Sequence, residues 1–153
     1  MLTNQMIFKP IDILLVEDNP GDVRLTKEAL LAGRVLNRIY VASDGVEALE
    51  FLRHEGQYAG QPVPRPDIIL LDLNMPRMDG RQCLGIIKAD PHLRRIPVVI
   101  LTTSEADQDV LKSYDLHANC YIAKPVDMAQ FIKVVHSIKQ FWFSIVNLPA
   151  DEI

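Results

Sequence analysis

The sequence predicts an α/β fold built around a parallel sheet of five strands. Short apolar runs rich in Ile, Val and Leu alternate five times with longer segments of helical period, a pattern typical of strand–helix–strand crossover units. The chain has 153 residues, of which 48% are hydrophobic, enough for one globular domain with a single core. We expect a folded domain over residues 11–146, between an N-terminal arm of residues 1–10 and a C-terminal tail of residues 147–153.

The first two crossover units have clear boundaries. A strand is predicted over Ile11–Val16, followed by a helix that starts at Asn19-Pro20, where Asn can cap the helix and Pro suits its first position. A weaker strand over Arg38–Ala42 is predicted to lie at the sheet edge, and Asp44–Glu47 resembles a capping box at the start of the next helix. Residues 55–67 are rich in Gly and Pro and predict an exposed loop.

Three more strands complete the predicted sheet. The third is the apolar run that ends at Asp72, the fourth follows Pro97, and the fifth is Cys120–Ala123. Apolar residues then recur every three or four positions, which predicts one long amphipathic helix at the C-terminal end. The helices predicted in this half of the chain cover residues 79–90, 104–114 and 127–145.

Charge and composition exclude several classes of protein. The net charge of -4 comes from interspersed acids and bases without a strongly basic block, which argues against binding to nucleic acid. No apolar run approaches membrane-spanning length, and residues 1–9 lack the apolar core of a signal peptide. Cys83 and Cys120 fit no metal-ligand spacing, so we expect reduced thiols. We expect a soluble, cytoplasmic protein whose partners are other proteins, with no nucleic acid and no membrane among them.

Acidic, hydroxyl and basic side chains stand at the ends of the predicted strands. Glu17 and Asp18 follow the first strand, Asp72 ends the third, Thr102 follows the fourth apolar run, and Lys124 follows the fifth. In open parallel sheets ligands bind outside the carboxyl ends of the strands, so these side chains are expected on one rim. Each acid alone could be a helix cap or a turn residue. Three together need a cation or must stay partly protonated, because clustered carboxylates repel one another.

The residue types on this rim suit phosphoryl chemistry with Mg2+, an ion that prefers oxygen ligands. A carboxylate beside such an ion can attack a phosphoryl group and form an acyl phosphate. Asp72 is the predicted nucleophile because it ends the most apolar strand, while Glu17 and Asp18 are predicted to hold the metal. Thr102 and Lys124 could each contact a phosphoryl oxygen, although a lone threonine or a lone Lys-Pro in such a place is usually structural.

These residues resemble the receiver domain of bacterial response regulators, which has the CheY-like (flavodoxin-like) fold. The separations of 30 residues from Asp72 to Thr102 and of 22 residues from Thr102 to Lys124 match the usual layout of that family. The resemblance implies a strand order of 2-1-3-4-5 with helices on both faces of the sheet. It also implies that a histidine kinase phosphorylates Asp72, and that Thr102 and Lys124 contact the phosphoryl group.

The resemblance assigns further roles. It implies that Mg2+ is organised by Glu17, Asp18, Asp72 and the backbone carbonyl of Asn74. It also implies a cis peptide bond between Lys124 and Pro125, which X-Pro bonds permit at low cost.

Tyr121 occupies the position of the family's aromatic switch. By resemblance, its ring moves inward as Thr102 turns toward the phosphoryl group. The alternative is that Tyr121 is only packed against an edge strand.

The C-terminal residues resemble a narrower group, the stand-alone regulators paired with cyanobacterial-type phytochromes, in the pair Phe141-Trp142 and in Leu148-Pro149. Phe141, Trp142 and Phe143 cannot all face one core from a single helix, so at least one is exposed or covered by another chain. We predict a homodimer through the last helix and the fifth strand, with Phe131, Phe141 and Trp142 as contacts. The alternative is a tail that folds back on its own domain. The predicted partner is a phytochrome-type histidine kinase.

Three functions are compatible with the predicted site. The first is a phosphorylation-switched signalling protein that catalyses only its own phosphotransfer and slow dephosphorylation. The second is a Mg2+-dependent phosphohydrolase of haloacid-dehalogenase type, but such enzymes need a carboxylate two residues after the nucleophile, where this chain has Asn74. The third, a receiver that is never phosphorylated, is disfavoured by the complete set of site residues. Only 30 residues follow Ala123, too few for a DNA-binding module, so output is expected through protein contacts.

Overall fold

The computed structural model describes residues 10–31, 36–73, 75–102 and 120–137. The helix predicted over residues 104–114 and the part of the last helix predicted beyond Ser137 lie outside the described residues. Among the helices of these four ranges, none is long and apolar enough to cross a lipid bilayer.

The described elements form a parallel sheet with helices packed on it. Strands β1 to β5 are Ile11–Val16, Asn37–Ala42, Ile68–Asp72, Val98–Thr102 and Cys120–Ala123. Helices α1 to α4 of the described ranges are Pro20–Leu31, Gly45–Arg53, Gly80–Ala89 and Met128–Ser137, and a 3-10 turn covers Gly56–Tyr58. Neighbouring strands are all parallel, in the order β2-β1-β3-β4-β5. The predicted parallel α/β class is confirmed, and β2 lies at the edge as its weak sequence predicted.

Both faces of the sheet are buried. Leu14 of β1 packs in one core, while its neighbours Ile13 and Leu15 pack in the other. Residues of α2 and α3 cover the first face, and Leu30 of α1 and Phe131 of α4 cover the second. Because successive side chains of a strand point to opposite faces, a strand buried on both sides is apolar at most positions; Asp12 of β1 is an exception, and its carboxylate pairs with Arg38 at 3.0 Å. This explains why the strands read as continuous apolar runs in the sequence.

Phe131 belongs to the core and not to the surface. Its side chain is 0% exposed and lies in the second core together with Leu30, Ile122 and Val126. Burying a phenylalanine side chain is favoured by about 1.5–3 kcal/mol, so its apolar ring fastens α4 to the sheet. The prediction that Phe131 contacts a partner is therefore wrong.

The loop over residues 55–67 is mostly exposed, as predicted, but it is tied to α2. The Tyr58 ring packs edge-on against Phe51 with ring centroids 5.1 Å apart, and its hydroxyl donates a hydrogen bond to Glu47 Oε1 at 3.4 Å. Asp44 caps α2 as predicted, because its Oδ1 accepts a hydrogen bond from the Glu47 backbone N–H at 2.9 Å. The Glu47 carboxylate bridges the helix start and the loop, because its Oε2 accepts a hydrogen bond from the Ser43 hydroxyl at 3.2 Å while its Oε1 accepts the one from Tyr58.

Candidate functional site

Three carboxylates that were predicted from the sequence meet at the carboxyl end of the sheet. One oxygen atom from each of Glu17, Asp18 and Asp72 lies within 4.8 Å of the chosen oxygens of the other two. Glu17 and Asp18 follow β1 directly, and Asp72 is the last residue of β3, the strand beside it. Because parallel neighbours end at the same side of a sheet, the residues that follow them share one rim.

Lys124 provides a cation to this cluster. Its Nζ lies 2.6 Å from Glu17 Oε1 and 3.2 Å from Asp72 Oδ1. The predicted cis peptide bond between Lys124 and Pro125 is present. The structure therefore brings Glu17, Asp18, Asp72 and Lys124 together at the carboxyl end of the sheet, as the sequence predicted.

A fourth carboxylate, Asp22, also contacts Lys124 and was not predicted from the sequence. Lys124 Nζ donates a hydrogen bond to Asp22 Oδ2 at 3.1 Å. Asp22 lies in the first turn of α1, the helix that leaves the rim after Glu17 and Asp18. An acid in that turn was visible in the sequence, but acids are common in first turns because they suit the helix dipole. The signal was therefore not specific enough to assign the contact.

Negative charge exceeds positive charge in this site. The side chains of Glu17, Asp72 and Lys124 are 1%, 8% and 13% exposed. Burial raises the pKa of Glu17 and the charge of Asp72 acts in the same direction, while the ion pair with Lys124 only partly offsets these effects. Burial acts to lower the pKa of Lys124, but the hydrogen bond with Glu17 and the charge of Asp72 hold that pKa above its ordinary value. The site is therefore suited to another cation.

The remaining predicted residues are described only in part. The backbone of Thr102 ends β4 and pairs with Ala123, the residue before Lys124. The backbone of Tyr121 lies in β5 and pairs with Ile100. The side chains of Thr102 and Tyr121, and the whole of residues Asn74, Phe141 and Trp142, lie outside the described part of the chain.

The start of α3 is packed against the backbone of Asp72. The Gly80 N–H donates a hydrogen bond to the Leu73 carbonyl at 2.8 Å. A Cβ atom on Gly80 would collide with the Asp72 carbonyl oxygen and would lie only 2.7 Å from Leu73 Cα. Only glycine allows this close approach, so Gly80 sets the path of the chain just after Asp72.

A second ion pair lies at the same end of the sheet. Arg77 Nε lies 2.6 Å from Asp44 Oδ2, and Arg77 Nη2 lies 3.1 Å from Asp44 Oδ1. Arg77 belongs to the loop between β3 and α3 and has a φ of 60°, in the left-handed region that non-glycine residues rarely adopt. The pair therefore joins this loop to the start of α2. The sequence did not predict it, because no local pattern relates residues that are 33 positions apart.

Cys83 carries no chemistry in this structure. Its thiol is free and lies on the buried face of α3, in the first core. Burial, helped by the charges of Asp44 and Asp79, raises the pKa of the Cys83 thiol to about 12. The thiol therefore stays protonated at neutral pH, which agrees with the prediction of a reduced, structural cysteine.

The chain is similar to known proteins over most of its length. The family of response regulator receiver domains matches residues 13–136. Among individual proteins, the response regulator Rcp1 of Synechocystis is 46% identical over 141 residues, which cover 92% of this chain and 95% of Rcp1.

Solved structures of response regulators are also similar to this chain. The bacteriophytochrome response regulator AtBRR superposes with a TM-score of 0.83 at 44% identity, over 88% of this chain and 96% of AtBRR. The phosphorylated cyanobacterial phytochrome response regulator RcpA gives a TM-score of 0.70 at 49% identity, over 92% of this chain and 99% of RcpA. The structure of Rcp1, solved in a Mn2+-bound form, gives a TM-score of 0.69, over 92% of this chain and 99% of Rcp1.

Proposed function

We propose that this chain, which belongs to the response regulator receiver family, accepts a phosphoryl group from a histidine kinase on Asp72 and signals through contacts with other proteins. The observation that carries the proposal is the cluster of Glu17, Asp18 and Asp72 beside Lys124. Several carboxylates around one ammonium leave negative charge that a divalent ion can balance. An aspartate beside such an ion is suited to take up a phosphoryl group.

Asp72 is the nucleophile in this proposal. One of its carboxylate oxygens attacks phosphorus, the bond from phosphorus to the kinase histidine breaks, and its electron pair returns to the imidazole nitrogen. The Lys124 ammonium lies 3.2 Å from Asp72 Oδ1, close enough to offset charge on a phosphoryl oxygen bound there. The hydroxyl of Thr102 is proposed, from the resemblance, to contact another phosphoryl oxygen.

Mg2+ is the proposed cofactor. The fit rests on donor chemistry, because Glu17, Asp18 and Asp72 offer only oxygen atoms and these lie within 4.8 Å of one another. Such ligands suit hard divalent ions, and both Mg2+ and Mn2+ accept them; the Mn2+-bound form of Rcp1 supports a divalent ion here. We propose the Asn74 carbonyl as a further ligand. The ion would neutralise charge on the incoming phosphoryl group and hold it in line with Asp72.

A phytochrome-type histidine kinase is the proposed partner. Rcp1, AtBRR and RcpA are between 44% and 49% identical to this chain, and two of the three are named as phytochrome or bacteriophytochrome response regulators. The phosphorylated state of RcpA supports phosphoryl acceptance in this group of proteins. When this chain is mixed with such a kinase that already carries a radiolabelled phosphoryl group on its histidine, the labelled group should move to Asp72.

Output is proposed to run through β5 and the last helix. Phosphorylation would turn Thr102 toward the phosphoryl group and move the ring of Tyr121 inward. A homodimer would form through the same elements, with Phe141 and Trp142 as contacts. Sedimentation of the wild type and of a Phe141→Ala, Trp142→Ala double variant tests the dimer, and a monomeric wild type would end this part of the proposal.

The phosphohydrolase alternative is not favoured. An enzyme of that type uses a second carboxylate two residues after its nucleophile, and the corresponding residue of this chain is Asn74. The match to receiver domains over residues 13–136 also favours signalling over turnover. Repeated, rapid hydrolysis of a phosphomonoester by the purified protein would reverse this conclusion.

Phosphorylation is tested directly with a small phosphodonor. The protein is incubated with Mg2+ and acetyl phosphate, and its intact mass is measured. The wild type should gain one phosphoryl group and the Asp72→Asn variant should gain none. An Asp44→Asn variant is the matched control, because Asp44 is a buried carboxylate at the same end of the sheet that stands outside the cluster. Equal labelling of the wild type and Asp72→Asn would disprove the assignment of Asp72.

A further inference from the structure

Three carboxylates crowd the ammonium of Lys124. An ammonium group has three N–H donors, and three carboxylates surround it, Glu17 at 2.6 Å, Asp22 at 3.1 Å and Asp72 at 3.2 Å. A phosphoryl oxygen on Asp72 that contacts Lys124 therefore competes with these carboxylates for the ammonium. The question is which contact is exchanged.

The Asp22 contact is the one that is exchanged most easily. The Glu17 side chain is 1% exposed and makes the shortest contact, so it would lose its cation without gaining water. The Asp72 contact passes to the phosphoryl group as the reaction esterifies that carboxylate, so it offers no competition of its own. The Asp22 side chain is 39% exposed, so water can solvate its carboxylate as soon as the ammonium moves away.

We propose that Asp22 is a positioning residue that holds Lys124 in the resting state and competes with the phosphoryl group for it. The inference rests on the proposed function, because it concerns the same Lys124 and the same Asp72. Its consequence is quantitative: Asp22 lowers the equilibrium occupancy of the phosphorylated state. Without Asp22, the ammonium contacts the phosphoryl oxygens without first leaving a third carboxylate.

A simpler role for Asp22 predicts a different outcome. Asp22 lies in the first turn of α1, and its backbone N–H donates a hydrogen bond to Asn19 Oδ1 at 3.0 Å. If its carboxylate only complements the helix dipole, its loss changes the free energy of unfolding but leaves the affinity for a phosphoryl group unchanged. If it only repels anions through space, its loss tightens anion binding whether or not Lys124 is present.

The test uses beryllofluoride, which mimics an aspartyl phosphoryl group, titrated by calorimetry at saturating Mg2+. The Asp22→Asn variant should bind about two- to fivefold more tightly than the wild type, the range expected from a partly exposed ion pair. Asp22→Glu restores the charge and should return the affinity toward that of the wild type. Glu28→Gln is the matched control, because Glu28 is an acid of the same helix that pairs with Arg24 at 3.3 Å, away from Lys124.

Two further variants, Lys124→Met alone and Lys124→Met combined with Asp22→Asn, distinguish competition for the ammonium from simple repulsion between Asp22 and the bound anion. In a Lys124→Met background, adding Asp22→Asn should leave the affinity unchanged, since no ammonium is left to release. If that background binds beryllofluoride too weakly to titrate, the fraction phosphorylated by acetyl phosphate, read by intact mass, serves instead. A gain that persists without Lys124 overturns the proposal, and so does an unchanged or weaker affinity in the single Asp22→Asn variant.

This result is distinct from a failure of the proposed function. If the wild type and Asp72→Asn both take up no beryllofluoride, Asp72 is not the acceptor. If the wild type takes it up and Asp22→Asn behaves identically, the acceptor assignment stands and the role of Asp22 alone is refuted.

Discussion

Two ion-pair systems lie at the carboxyl end of the sheet, and they differ in charge balance. In one, Lys124 faces the carboxylates of Glu17, Asp22 and Asp72. In the other, Arg77 faces Asp44, whose carboxylate also accepts a hydrogen bond from the first turn of α2. The first system holds more negative charge than its lysine can neutralise. The second pairs one charge with one charge and caps a helix with the same carboxylate.

The difference separates a site for chemistry from a device that holds the backbone. The matched pair of Asp44 and Arg77 joins the loop after β3 to α2 and requires nothing from solution. In the unmatched cluster around Lys124 the carboxylates repel one another. A divalent ion lowers this repulsion by its positive charge, and phosphorylation lowers it by esterifying Asp72. We therefore expect removal of a carboxylate charge to have opposite effects on stability in the two regions.

The largest effect is expected where the two regions share a loop. Gly80→Ala should lower the free energy of unfolding by about 3 kcal/mol, the upper end for overpacking, because its Cβ would meet the backbone of Asp72 and Leu73. Because the added methyl group would displace the backbone of Asp72, the variant should also be phosphorylated more slowly by acetyl phosphate. Urea unfolding and intact mass measure the two effects.

Gly85→Ala is the control for this prediction. Gly85 lies in the same helix, α3, and a Cβ atom there would meet nothing within 4 Å. Alanine is a better helix former by about 1 kcal/mol, so this variant should be more stable than the wild type and equally phosphorylated. A similar response of the two glycines would mean that the close approach at Gly80 is not a constraint.

Lys124→Met sharpens the comparison by removing the cation of the unmatched cluster. The variant should lose about 2 kcal/mol of unfolding free energy without metal, less than for a fully buried pair because water reaches Asp22. Saturating Mg2+ should recover part of the loss, since the ion balances the same carboxylates. Urea unfolding with and without Mg2+ measures both values, and an unaltered stability would show that the carboxylates do not depend on the lysine.

The sign of a charge removal should differ between the regions. Asp72→Asn relieves repulsion with Glu17 and Asp18, and without metal it should raise the free energy of unfolding by about 1 kcal/mol. Asp44→Asn keeps the helix cap but loses the ion pair with Arg77, so it should lower the free energy of unfolding. The decrease should be less than about 1 kcal/mol, because Arg77 is largely solvated. Thermal or urea unfolding without metal compares them. Two changes of the same sign would refute the distinction between the regions.

The smallest effect is expected from Arg77→Gln, and it should depend on pH. Burial acts to raise the pKa of Asp44, but the Arg77 guanidinium and the Glu47 N–H hold that pKa below its ordinary value of 3.8. A lowered folded-state pKa means that the stabilisation is complete above the ordinary value and is lost as the pH falls through the folded value. The stability difference between wild type and Arg77→Gln should thus be constant above about pH 5 and shrink below about pH 4. Unfolding measured across this range checks it, and a difference that grew toward acid pH would contradict the assignment.

Much of the fold could be predicted from the sequence because its determinants are local. The first strand was predicted with the bounds that it has, and the starts of α1, α2 and α3 were marked by Asn19, Asp44 and Asp79. The surface role predicted for Phe131 was wrong, because helical period shows that a face is apolar but does not show what covers it. The tail that carries Phe141 and Trp142 lies outside the described residues, so its role stays a prediction.

The sequence by itself determined the parallel sheet and the rim on which the acids of β1 and β3 meet Lys124. It could do so because strand ends in a parallel sheet fall on one side, whatever the loops between them do. Only the tertiary structure decided that Asp22 is a third partner of Lys124, and that Arg77 reaches Asp44 across 33 residues. Contacts between side chains that are distant in the chain depend on how helices and loops pack on the sheet, and no local pattern of residues encodes that packing.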